Sequence, residues 1–157
     1  MFKKSFLVLG FLLIFTFSLT LTGYGTDNID VEQNANSILN DFFFALENED
    51  IDMAGNYLSS DFKFKPSPYS DDSQGKVTFL NSMKEVKFKK IKINNKIIEV
   101  INDNKKVEIT GGLIQEKTLP EGNRFYVDYV DKVKFVIEKK NNKWYITYKV
   151  VLPDGPG

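Results

Sequence analysis

Apolar residues recur along the first third of the chain at helical spacing. From Val31 onward, Ala35, Ile38, Leu39, Phe42, Phe43, Ala45 and Leu46 share one broad arc of a wheel, which predicts an amphipathic helix to about Glu47. Asp30 followed by Gln33 resembles a capping box at its start. Three phenylalanines stand together at Phe42-Phe43-Phe44. Successive helical residues point about 100° apart, so one contact cannot bury all three. Phe42 and Phe43 belong to the core arc. Phe44 falls opposite, among Ser37, Asn40 and Asn48. Its ring is expected under a sheet edge or loop; exposed, it would mark a partner surface.

Glu49 to Asp52 interrupts this pattern, and Ile51 to Leu58 predicts a short second helix. Phe62-Lys63-Phe64 alternates as a strand does. Pro66 to Gly75 is a polar loop, and Val77, Leu80 and Met83 predict a third helix over Ser73 to Lys84. Strand patterns fill the rest: Val86 to Ile93, Ile97 to Ile101, Lys106 to Lys117, Arg124 to Lys139 and Lys143 to Leu152. Asn141-Asn142 is a tight hairpin turn. Helices followed by strands give an α+β domain.

The strand from Arg124 to Lys139 carries the most chemistry. Side chains on one face occupy every second position. Phe125, Val127, Tyr129, Val133, Phe135 and Ile137 make one face apolar, and Asp131 interrupts it. A carboxylate on an inward face is desolvated and has a raised pKa, which suits a general acid or base. The plainer expectation is a bulge that turns Asp131 outward, or a pairing partner. Trp144, Ile146, Tyr148 and Val150 share a face of the last strand. Tyr57, Phe62, Tyr129, Asp131, Trp144 and Tyr148 are therefore the candidate pocket residues, with core packing as the competing account.

Composition narrows the chemistry. There is no histidine, which removes Ser-His-Asp catalysis and His-ligated zinc. There is no cysteine, so no disulfide supports the fold. Lys3 and Lys4, an apolar run from Phe6 to Leu21, and small residues at Gly23 and Gly25 have the layout of a secretory signal. Cleavage is expected after Gly25, giving a secreted domain over residues 26–157 with a loose leader at 26–30 and a loose tail at 153–157. An uncleaved anchor is the alternative, although a membrane span needs about 20 apolar residues. Leu21-Thr22-Gly23 has the form of a lipoprotein signal, but Tyr24 stands where the lipid-bearing cysteine would be. Without Lys3 and Lys4 the acidic residues outnumber the basic by two, which argues against a nucleic-acid partner. Lysines 84, 87, 89, 90, 92 and 96 read as a guard on an exposed strand. Gly111-Gly112 within a strand suggests a bulge or bend. The acidic segments lack calcium-loop spacing, and no metal site is expected.

Phe44-Ala45-Leu46, Asp50, Ala54 and Leu58, together with the closing strand Lys143-Trp144-Tyr145-Ile146, resemble the NTF2-like superfamily (the cystatin-like cone of the ketosteroid-isomerase and SnoaL type). The resemblance spans Val31 to Leu152. It implies N-terminal helices packed on a strongly curved antiparallel sheet, often with a pocket at the open end. Such domains include isomerases, dehydratases, cyclases and many non-catalytic secreted proteins, so fold alone does not choose. The dehydratase-type sites use histidine, which is absent here. The expected function is non-catalytic binding of a small apolar molecule or a protein partner, without a cofactor and possible as a homodimer through the sheet. The alternatives are a cofactor-independent isomerase, dehydratase or cyclase with Asp131 as base, and an extracellular interaction or inhibitory module without a pocket.

Overall fold

The structure is a computed structural model that describes residues 26–102, 104–119 and 124–153. The expected signal at 1–25 and the end of the expected tail, 154–157, lie outside the described residues. Helix α1 spans Thr26–Glu47 and α2 spans Ile51–Tyr57. Strands β1 (Leu58–Lys65) and β2 (Gln74–Gly75) precede helix α3 (Lys76–Met83). Four long strands follow: β3 (Lys87–Ile101), β4 (Lys106–Leu119), β5 (Arg124–Lys140) and β6 (Lys143–Val151). Residues 26–30, expected to be a leader, are the first turns of α1. No helix among the described residues is long and apolar enough to cross a membrane.

The strands form one sheet in the order β2-β1-β6-β5-β4-β3. It is mixed rather than wholly antiparallel, because β1 runs parallel to β6. Helices α1 and α3 pack on one side, which is the concave one. Ala35, Leu39, Phe42, Phe43 and Leu46 of α1 are buried there with Phe79 of α3. The sheet contributes Phe62, Phe88, Ile91, Val107, Ile109, Leu113, Val133, Phe135, Ile137 and Ile146 to the same core. The Phe43 ring meets Phe135 edge-on at 5.7 Å, and Phe62 and Phe79 lie 5.1 Å apart.

Local chemistry explains the element ends. The Asp50 carboxylate accepts a hydrogen bond from the Met53 amide at 2.9 Å and caps α2. Glu47, at the end of α1, accepts from the Ile91 amide at 2.6 Å and ties the helix to β3. Asn141 and Asn142 both adopt left-handed backbone, with φ of 51° and 62°, which a two-residue hairpin requires. The two strands expected over 86–101 are one strand with an irregularity between Asn94 and Ile97.

Two irregularities decide which side chains share a face. In β5, Val130 pairs with Leu113 and Val133 pairs with Gly111, so Asp131 and Lys132 together oppose Gly112. This bulge exchanges the faces of β5. Val133, Phe135 and Ile137 are buried on the concave side, whereas Phe125, Val127 and Tyr129 lie on the convex side and are exposed. In β6, Val136 pairs with Tyr148 but Ile137 pairs with Ile146, leaving Thr147 as the extra residue. Trp144 and Ile146 thus face the concave side, while Tyr148 and Val150 face the other.

Candidate functional site in the concave face of the sheet

The bulge in β6 has a chemical consequence. It turns Lys149 inward, opposite Phe135 of β5 and beside Phe64 of β1. The Lys149 Nζ lies 5.0 Å from the Phe64 ring centre, 5.3 Å from Phe79 and 5.8 Å from Phe135. One amine is therefore surrounded by rings from two strands and α3. An ammonium gains roughly 0.5–2 kcal/mol from an aromatic face, but loses much of its hydration in such a place. Burial, reinforced by the nearby Lys117 charge, pushes its pKa from 10.5 down to about 8. Among the described residues no carboxylate forms an ion pair with it. The side chain is nonetheless only half-buried, so part of it meets solvent.

The bulge in β5 supplies the second half of the site. Beyond it, Gln115 and Lys117 of β4 stand on the same face as buried Leu113, and Lys117 pairs across to Phe88, also buried. On β5 the corresponding positions are Val130, Asp128 and Tyr126. Lys117 and Asp128 form an ion pair within this face. The concave surface thus combines an aromatic wall, an amine with no ion pair among the described residues and a second lysine paired with a carboxylate. Among the described residues no group of three or more metal-ligating side chains occurs.

The residues singled out from the sequence are only partly brought together. Phe62 is buried in the concave core, and Tyr57 packs against that core from the end of α2. Trp144 is also on the concave side, but toward the opposite end of β6. It lines a cleft of about 700 Å³ with Asp30, Val31, Asn34, Lys105 and Lys139. Tyr129 is 70% exposed on the convex side, so it does not join them. Tyr148 is likewise on the convex side. Both were misplaced because simple alternation was carried through a bulge. The Asp131 side chain lies outside the described residues. The Phe44 ring is 60% exposed and is not covered by the sheet edge or a loop as expected. It borders a shallow groove with Asn40, Asp41, Glu47 and Ile91.

Lys149, Lys117 and Asp128 were not anticipated. The sequence held one signal for Lys149, its place next to Tyr148 in an aromatic last strand, but unbroken alternation puts it on the face opposite Trp144, Ile146 and Tyr148.

Comparison with known proteins agrees with this architecture. No protein-family model matches the chain, and no curated protein matches it. Solved structures do. An NTF2-like protein of Cytophaga hutchinsonii superposes with a TM-score of 0.59 at 16% identity, covering 73% of this chain and 90% of that one. An NTF2-like protein of unknown function in nutrient uptake from Rhodospirillum rubrum gives 0.62 at 8% identity, with 73% and 93% covered. A ketosteroid isomerase-like protein of Erwinia carotovora atroseptica gives 0.60 at 12% identity, with 80% and 97% covered. The chain therefore has an NTF2-like α+β fold. At these identities the likeness shows the fold alone, and the differing names leave the role to the site.

Proposed function

We propose that this protein is a binding domain for a small apolar molecule that carries an acidic group, held in the concave face with its anion at Lys149. The observation behind this is the Lys149 amine among Phe64, Phe79 and Phe135, with Lys117 as its charged neighbour. Burying an ammonium without a counter-ion costs stability, and an aliphatic residue would fill the same space without that cost. A bound carboxylate removes the cost, and the rings complement an apolar body. Lys117, paired with Asp128, adds positive potential without leaving another cation uncompensated.

Titration calorimetry with 4-methylbenzoate and with neutral 4-methylbenzyl alcohol tests this. The acid is expected to bind one to one and at least ten times more tightly, since a charge-assisted hydrogen bond contributes roughly 1.5–3 kcal/mol. Equal affinities, or no binding of the acid, would remove the proposal.

A further inference from the structure

We infer that Lys149 captures carbonyl compounds covalently, forming a reversible imine with a small apolar oxo acid or aldehyde acid. This rests on the acid-binding role of the concave face and adds a reaction to it.

Imine formation needs an amine that holds a free lone pair, an approach to that amine, and a place for the carbonyl compound beside it. Most lysines fail the first requirement, because the exposed ammonium is almost wholly protonated at neutral pH. Two structural features change this at Lys149. The rings of Phe64, Phe79 and Phe135 displace water from around Nζ. Lys117 of β4 adds its positive charge and is itself paired with Asp128, and among the described residues no carboxylate pairs with Lys149. Desolvation and an adjacent cation are the two known ways of activating a lysine toward carbonyl groups. With a pKa of about 8, about a fifth of Lys149 is neutral at pH 7.4, against about a thousandth for an ordinary lysine.

The reaction balances without a further reagent. The Nζ lone pair attacks the carbonyl carbon and forms the C–N bond. The two protons of the neutral amine leave with the carbonyl oxygen as water, and a C=N bond remains. Protonation of that nitrogen gives an iminium, which the aromatic faces stabilise as they would an ammonium. The site is then used twice, first for electrostatic capture and then for the bond.

The test treats the full-length protein with 4-formylbenzoate and sodium cyanoborohydride at pH 7.4, then locates the reduced adduct by peptide mass spectrometry. Adduct at Lys149 at about ten times the yield of any other lysine is the expected result. The yield should rise with pH through about 8 and level off as Lys149 loses its proton. Lys149→Arg removes the nucleophile, so the total adduct should fall to the level set by the exposed lysines. Adduct spread over exposed lysines and absent from Lys149, in a protein that binds 4-methylbenzoate, would overturn the imine while leaving the acid-binding role intact. Absence of both adduct and 4-methylbenzoate binding would overturn both.

Discussion

Lys149→Met is expected to make the protein more stable at neutral pH while abolishing its affinity for acids. The lowered pKa supplies the reason. In the unfolded chain Lys149 holds its proton up to about pH 10.5, whereas in the folded chain it lets go near 8. Below pH 8 the folded state therefore carries the full cost of an unfavourably placed ammonium. That cost shrinks as pH rises from 8 to 10.5, where the unfolded chain binds more protons, and stability rises with pH in that window. The shift corresponds to at most about 3 kcal/mol. A methionine of similar length keeps the ring contacts and removes the charge, so a gain of about 2 kcal/mol at pH 7 is expected. Urea unfolding at pH 7 and pH 10 measures it. The gain should be large at the first pH and small at the second. A residue whose removal stabilises the fold serves something other than the fold, and the proposed acid-binding role is such a reason. A destabilised Lys149→Met would mean that the lysine is structural.

Gly111→Ala is expected to have the largest effect in the opposite direction. A β-carbon at Gly111 would lie 2.4 Å from Cγ2 of Ile93 and 2.6 Å from the backbone oxygen of Asn94. A side chain could yield, but the Asn94 carbonyl belongs to the β3 backbone and cannot without moving the strand. The expected cost is about 3 kcal/mol, which lowers the melting temperature by about 10 °C. The position also matters for the site. Gly111 pairs with Val133 at one end of the β5 bulge. That bulge puts Asp128 rather than Tyr129 on the face of Lys149. Thermal unfolding of Gly111→Ala, followed by titration with 4-methylbenzoate at a temperature where it remains folded, should show both losses. An unchanged melting temperature would show that β3 is freer to move than the close approach at Gly111 implies.

The elements were largely legible in the sequence because their periodicities are strong. The arc of Ala35, Leu39, Phe42, Phe43 and Leu46 is the buried face of α1, as the wheel indicates. The Asn-Asn turn and the order of the long strands also follow the pattern. The site was far less legible. A strand's faces follow from counting by two only while every residue pairs, and each bulge reverses the count. Gly111-Gly112 signalled an irregularity in β4, but the displaced residues are Asp131 and Lys132 on its neighbour. Nothing in the segment around Thr147 marks the second bulge, and so Tyr148 was assigned the face that Lys149 occupies. The parallel pairing of β1 with β6 was equally hidden, since it joins segments more than eighty residues apart. Phe44 is the opposite case. The wheel placed it correctly away from the core, and the expectation of a cover was the part that failed.

The most direct test is the protonation of Lys149 itself, followed by NMR of carbon-13-labelled lysine ε-methylenes with and without 4-methylbenzoate. One lysine, assigned through its loss in Lys149→Met, should titrate near pH 8 in the free protein. Saturation with 4-methylbenzoate should move that midpoint upward, because a bound anion favours the ammonium. A Lys149 that titrates with the exposed lysines, or one whose midpoint does not move when the acid is present, would contradict the account.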